Sequence, residues 1–265
     1  MANVFTSLGS TIPVTGPYVG FPGTVSRAGE RVIVSRPLAG PSNLNFGDLA
    51  VLVGDSTGGK WQSIVDFLAT VTNIPLLGAL IGNPGSALGI AVREVKTMLT
   101  YPAGQTPGLA QVGYYAAGEE ADVLEVGSIT VNMPVGTPIA GGPVYCRLVA
   151  NSATTGSAVG DLEAAPEVVS NLTATDSSGA TVTPVNMTGI KVGQIITAAS
   201  GVIPAGTYVS AIGASTITIS QAVTAALTGA VTFSNTVALP DFVFRTGYLD
   251  GSGVAEITIL RRRGA

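Results

Sequence analysis

Alternation with a period of two is the dominant pattern in this chain. Ile129, Val131 and Met133 alternate with Ser128, Thr130 and Asn132, and Val144, Cys146 and Leu148 alternate with Tyr145 and Arg147. Successive side chains of an extended strand point to opposite faces, so each set predicts a strand with one dry face and one wet or partnered face. The intervening MPVGTPIAGGP carries prolines and glycines that turn the chain and cannot continue a ladder. Residues 113–150 therefore read as two strands joined by a turn-rich loop. The same period marks RVIVS and DLAVLVG between Arg27 and Val53. At the end of the chain, FVFRTGYLD, the turn Asp250-Gly251-Ser252-Gly253 and VAEITILRRR predict a hairpin, with Ala255, Ile257 and Ile259 on one face and Glu256, Thr258 and Leu260 on the other.

One stretch follows another period. Trp61, Ile64, Val65, Leu68 and Val71 recur at helical spacing, opposite Gln62, Ser63, Asp66 and Thr70, with Pro75 as a stop. This predicts a single short helix whose apolar stripe packs on the core or on a subunit interface. GIAVREVKTML fits either period, and its β-branched content favours a strand. Residues 1–26 show neither. They hold no charge and are broken by Pro13, Pro17 and Pro22, which predicts an extended arm rather than a folded element. Phe5, Leu8, Ile12, Tyr18 and Phe21 give this arm apolar anchors that a disordered terminus would not need. An arm unable to fold on itself is expected to lie on a neighbouring subunit.

From Asn151 the texture changes. Between Val168 and Asn235 the only charged residues are Asp176 and Lys191, and Thr, Ser, Ala, Gly, Val and Ile dominate. Short alternating runs (QIITA, TYVSAI, STITIS, AVTFS) separated by turns predict a small sandwich or barrel of its own.

Composition narrows the function. Charged residues are 11% of the 265, well under the usual share of about 25%. Hydrophobic content is 46%, with 35 glycines and 16 prolines, a mixture that suits a turn-rich β protein hiding surface against partners. The net charge of −4 argues against a dedicated nucleic-acid binder, which shows a basic excess; the run Arg261-Arg262-Arg263 is too short to change that. There is no histidine, which removes the commonest general base and zinc ligand. The one cysteine, Cys146, permits no intramolecular disulfide and falls on an inward strand face, where a thiol is inert. The first charged residue is Arg27, so no basic signal region is expected at the amino end. The most apolar run, IPLLGALIG, is about half the length that crosses a bilayer, so no membrane span is expected.

Two motifs tempt a chemical reading. VLVGDSTGGKW places Gly54, Gly59 and Lys60 at the spacing of a phosphate-binding loop, but Trp61 stands where that loop needs a Ser or Thr hydroxyl for magnesium. The plain reading is a polar turn before a helix. GEEADVLE gathers Glu119, Glu120, Asp122 and Glu125. It lacks the spacing and central glycine of a calcium loop, and no second acidic motif builds a glycosidase cleft. A solvated or partner-facing charged loop is the expectation.

GEEADVLEVGSITV followed by GTPIAGGPVYCRLVA resembles the structural cement (head decoration) proteins of tailed bacteriophages. FPGTVSRAGERVIVSR, NFGDLAVL, GIAVREVKT and NTVALPDFVFRTGYLDGSGVAEITI look like that family's segments in order, leaving out roughly residues 164–234. The stretch VGQIITAASGVIPAGTYVSAI looks like small β modules inserted in phage surface proteins. The expected fold is all-β: a barrel or sandwich core, an extended arm, one short helix and an inserted small β-sandwich. Its expected parts are an arm over residues 1–40, a capsid-binding core over 41–166 and 235–265, and an outward-projecting inserted domain over 167–234. The resemblance implies a non-enzymatic protein on the outer surface of the virion, without cofactor or catalytic residue, made in the host cytoplasm. It implies the major capsid protein as partner and a homotrimer with exchanged arms, with contacts expected from Phe5, Leu8, Ile12, Tyr18, Phe21, Arg27 and Arg31, and neither nucleic acid nor membrane bound. The alternative is a carbohydrate- or host-surface-binding module carried by the insert, although Tyr208 and Phe233 are its only aromatics for stacking on a sugar.

Overall fold

The structure is a computed structural model that describes residues 6–7, 10–11, 19–26, 29–54, 59–69, 88–93, 113–154, 156–174 and 179–260. In chain order its first strands are β1 (Thr6–Ser7), β2 (Ser10–Thr11), β3 (Val32–Ala39), β4 (Leu44–Asn45), β5 (Leu49–Val53) and β6 (Lys60–Ser63). A helix α1 (Ile64–Leu68) precedes β7 (Leu88–Ala91), β8 (Tyr114–Tyr115), β9 (Glu120–Asn132), β10 (Pro143–Arg147) and β11 (Leu162–Glu163). Then come β12 (Val168–Ala174), β13 (Thr181–Val182), β14 (Ile195–Ala198), β15 (Val209–Ile212), β16 (Ile217–Ile219) and β17 (Gly229–Ser234), and finally β18 (Thr236–Phe244) and β19 (Val254–Ile259). The all-β expectation holds, with one short helix.

The first half of β9 closes a five-stranded barrel. It pairs antiparallel with β3, β3 pairs parallel with β6, β6 with β5 and β5 with β7. The circle closes where Ile90 and Ala91 of β7 meet Leu124 and Val123 of β9. Buried residues from all five strands form one cluster: Leu38, Ala50, Trp61, Ala91, Ala121 and Val123. So narrow a barrel has room for one large ring only if its neighbours are small, hence three alanines around Trp61. Its buried indole N–H donates to the Val34 carbonyl at 2.9 Å. Val32–Ala39, which a boundary at residue 40 assigned to the arm, is thus a barrel strand.

The second half of β9 belongs to another sheet. From Gly127 onward it pairs with β19, β19 pairs with β18, β18 with β10 and β10 with β11. The strands over 128–133 and 144–148 are therefore not neighbours; the closing hairpin β18–β19 lies between them. The loop of prolines and glycines carries the chain across two intervening strands, a separation that the period of two does not encode. The faces are as the alternation predicts: Ile129, Val131, Met133, Val144, Cys146, Leu148, Ala255, Ile257 and Ile259 are buried together. Leu49, Val51, Leu88, Ile90 and Leu124, from the outer wall of the barrel, join the same core.

Helix α1 begins later than its spacing predicts. Lys60–Ser63 is extended and puts Trp61 inside the barrel, so packing of the indole overrides a weak local preference. Ser63 caps the helix, its Oγ accepting from the Val65 N–H at 3.2 Å. Ile64, Phe67 and Leu68 are buried while Val65 is 43% exposed. Thr70 and Val71 lie outside the described residues.

Residues 168–234 form two three-stranded sheets, in the orders β12-β17-β14 and β13-β16-β15. They enclose a separate buried cluster that includes Val182, Ile196, Val209, Ile217, Val231 and Phe233. The chain enters and leaves this unit side by side, because Val168 pairs with Ser234 and the Asn235 N–H donates to the Glu167 carbonyl at 2.9 Å.

Gly89 tests the barrel closure. A Cβ there would stand 2.4 Å from Val123 Cγ1 and 2.6 Å from the Leu124 carbonyl oxygen, closer than real Cβ atoms approach. We expect Gly89→Ala to destabilise the protein by about 1–3 kcal/mol in chemical denaturation. A melting curve unchanged from that of the parent would contradict the closure between β7 and β9.

Candidate functional site

The residues that suggested chemistry are placed elsewhere by the fold. Val53 pairs with Lys60, so Gly54, Gly59 and Lys60 close a β-hairpin instead of leading into a helix N-terminus, the feature a phosphate loop depends on. Residues 55–58 of that loop lie outside the described residues. Glu120, Asp122 and Glu125 are on strand β9 of the barrel wall, not on a loop. Glu119 accepts from the Ala116 N–H at 2.8 Å, and Asp122 accepts from the Ser35 hydroxyl. Among the described residues no cluster of three or more Cys, Asp and Glu could hold a metal ion. Cys146 is fully buried, and that burial pushes its thiol well above the usual range. Tyr208 and Phe233 are also buried, at 6% and 0% exposure, so neither presents a ring for a sugar.

Of the expected contact residues, Phe5, Leu8, Ile12, Tyr18 and Arg27 lie outside the described residues. Phe21 and Arg31 are exposed, and Phe21, at 58%, carries the Arg93 guanidinium 4.7 Å from its ring centroid. The described end of the arm, residues 19–26, has its partner within its own chain. Gly23 N–H donates to Thr130 O (2.7 Å), Thr130 N–H to Thr24 O (3.0 Å) and Ser26 N–H to Ser128 O (3.1 Å). This segment occupies the edge of β9 that β3 leaves free, and buries Thr130 completely. Carboxylates of the closing hairpin hold both its ends. Asp250 Oδ2 accepts from the Val19 N–H at 3.3 Å, and Glu256 Oε1 accepts from the Ser26 hydroxyl at 2.7 Å. For these residues the expectation of a purely intermolecular arm is corrected: period-two reasoning registers strands, and a strap with one proline and two glycines shows no period.

Asp48 lies beside this crossing. Its carbonyl accepts from the Ala91 N–H at 2.9 Å, and Oδ2 accepts from Asn45 Nδ2 at 2.8 Å. Burial pushes its carboxyl up to about 6 despite the lowering effect of the Asn45 hydrogen bonds.

The densest polar cluster joins β10, β11 and the base of the second unit. Arg147 and Glu163 are both completely buried. Arg147 Nε and Nη2 clasp the two Glu163 oxygens, the latter at 2.9 Å, and Nη1 donates to Glu167. Glu163 also accepts from the Ser157 hydroxyl at 2.6 Å. Glu167 Oε1 accepts from Asn151 Nδ2 and, at 2.8 Å, from the Thr154 hydroxyl. Burial alone would raise the Glu167 carboxyl; hydrogen bonds from Arg147, Asn151, Thr154 and Asn235 outweigh it and hold the group at about 2. The same two carboxylates raise the pKa of Arg147 against the effect of its burial. Both acids are spent on one guanidinium, so the cluster orients backbone and offers no free acid–base pair. Sequence reasoning assigned Arg147 only to the wet or partnered face of its strand. The available signal was a bulky cation in a strand otherwise apolar or aromatic, followed by Glu163 and Glu167 in a chain so poor in charge.

The sequence model of a family described as Structural cement protein (E217 gp24/Pam3 gp6) matches residues 12–205. The match takes in β3 to β14, including part of the stretch that the resemblance left out, and stops before the closing hairpin. No curated protein matches the chain.

Arg147→Ala should cost about 3–5 kcal/mol, since Glu163 is left as a buried charge without its counter-ion. Adding Glu163→Gln should recover part of that loss in a double-mutant cycle by urea denaturation. Asp48 acts in the opposite sense. Its folded pKa lies above the unfolded value, so its stabilising contribution is complete below about pH 4 and is lost as pH rises through about 6. Asp48→Asn should therefore raise the melting temperature at pH 7 and flatten the stability profile between pH 4 and 6.

Proposed function

We propose, from the premise that this chain belongs to the phage structural cement protein family, that it binds the outside of the head as a homotrimer and stabilises the shell without catalysis. The coarser role comes with the family: a structural, capsid-stabilising component of the virion. The finer reading has the arm reach a neighbouring subunit and the second unit project away from the shell.

The observation that carries this reading is the anchored segment of the arm with its exposed aromatic ring. Residues 19–26 are tied to β9, yet Phe21 stays 58% exposed beside Arg93. Residues 1–18 carry Phe5, Leu8, Ile12 and Tyr18 and no charge. An apolar segment anchored at one end gains most by covering a neighbour. Each apolar Å2 so buried contributes roughly 25 cal/mol before ordering costs are subtracted. Icosahedral symmetry repeats a modest gain over many sites of the shell. Arg27 and Arg31 follow the anchored segment in the sequence and would meet the coat protein.

The reading of residues 167–234 as an inserted domain belongs with this proposal. It is supported by their separate core and adjacent ends. Some contacts run against full independence: Tyr208 and Ile195 pack into the main core, and Lys191 bonds the Ala150 carbonyl.

Purified protein added to undecorated heads should co-sediment with them and raise the temperature at which they release DNA. Deleting residues 1–18 should leave a folded chain that trimerises or attaches more weakly. Excising 168–234, with Glu167 kept and a short glycine join to Asn235, should leave attachment intact at a lowered melting temperature. Heads whose release temperature is unmoved by saturating protein would overturn the cement reading. Unchanged assembly after loss of residues 1–18 would overturn the role of the arm.

A further inference from the structure

Two crossings connect the main core to the second unit, Glu163–Val168 and Ser234–Thr236, and they are bonded to each other. Asn235 N–H donates to Glu167 O at 2.9 Å and Glu167 N–H to Thr236 Oγ1 at 3.0 Å. Two adjacent strands bonded in this way make one hinge axis, not a rigid mount. Rotation about such an axis is stopped by contacts that fix the crossing strands to the core and by contacts away from the axis.

The loop after β10 supplies those contacts. Glu167, on the axis itself, sends its carboxylate back to Asn151 and Thr154 of this loop and to Arg147. From the second unit, Lys191 Nζ donates to the Ala150 carbonyl at 2.6 Å. Gln194 Nε2 bridges Gly189 O, at 3.1 Å, and the buried Asn235 Oδ1, at 2.8 Å. Tyr208 adds an apolar contact by packing into the main core. We propose that Arg147, Glu167 and the 149–154 loop form an orientation lock that fixes the second unit against rotation about its two-strand hinge.

The lock is built to hold in acid. The titratable groups around it are Glu163 and Asp161 from the β11 side, Glu167 at the hinge and Lys191 from the second unit, with Arg147 from β10 at the centre. Glu167 is held at about 2, so the carboxylate that closes the lock stays charged well below neutral pH. Its contribution to stability is complete above its ordinary range near 4.5 and is lost only as pH falls through about 2.

Nitroxide labels at Ile139→Cys in the core and Val185→Cys in the second unit test this by electron–electron distance measurement on the full chain. Both positions are well exposed, at 74% and 66%, and Cys146 is buried and takes no label. The labelled parent should give one narrow distance distribution at pH 7, unchanged at pH 4. Glu167→Gln puts an amide NH2 where a carboxylate oxygen accepts from either Arg147 or Asn151 and Thr154. It should widen the distribution at least about twofold while amide-exchange protection of β9 and β19 stays at the parent level. A distribution as narrow in Glu167→Gln as in the parent would overturn the lock. Should that variant not fold, the pH series on the parent decides: constant width supports the lock, and broadening between pH 7 and 4 overturns it.

Discussion

Everything in the main core depends on one strand serving two sheets. As far as Val126, β9 pairs with β3 and helps close the barrel; from Gly127 it pairs with β19 and starts the open sheet. The change of partner falls on Gly127, at φ 123°, a conformation that a side chain would strain. A Cβ there would also come within 3.3 Å of Arg31 Cβ and the Glu30 carbonyl. The strand can therefore bend out of one sheet and into another, next to a register shift in its pairing with β3 at Val32 and Ile33. Because the barrel wall and the sheet share it, Leu124 and Ile129 lie in one core. The outer wall of the barrel thereby becomes one half of a sandwich.

The shared strand also makes the two ends of the chain interdependent. The arm segment 19–26 covers one edge of β9, and β19 covers the other. Asp250 and Glu256, from the turn and strand of the closing hairpin, bond back to the arm. Neither terminus can be removed without exposing an edge that the other does not cover. Such contacts join residues that are far apart in sequence, so forming them costs loop-closure entropy.

How much of this was legible follows from what a local pattern can carry. The inward faces of β10, β19 and the second half of β9 were readable residue by residue, because burial of one face forces alternation there; the first half of β9, rich in carboxylates, was read as a loop. Strand order was not: nothing in Ile129 or Val144 says that β18 and β19 come between them. Trp61 misled for a related reason. Its spacing to Ile64 and Leu68 is helical, yet the barrel interior needed one large ring, and tertiary packing outweighed a propensity of tenths of a kcal/mol. The arm was legible as apolar and uncharged, but not that Thr6–Ser7 and Ser10–Thr11 pair with each other, a fold-back within a segment expected to stay extended. Its docking on β9 was not legible either, since backbone hydrogen bonds to an edge leave no mark in side-chain pattern. Arg147, Glu163 and Glu167 were visible as charges, but only the fold shows that they share one buried site.

Burial of charge in a chain with so little of it has a consequence for the surface. Arg147 and Glu163 are hidden completely, and Glu167, Asp250 and Glu256 are largely spent on internal bonds. Fixed buried pairs add little net stability over apolar packing, but they tolerate only one arrangement of the groups around them. These charges sit at joins between parts of the chain: Asp250 and Glu256 between arm and hairpin, Arg147, Glu163 and Glu167 at the base of the second unit. Within each part, apolar burial supplies the cohesion. At each join, a carboxylate with several donors selects one geometry from the many that apolar contact alone would accept. For a member of a capsid-stabilising family, a single arrangement at each join suits a structural role in a way that a set of equivalent arrangements would not.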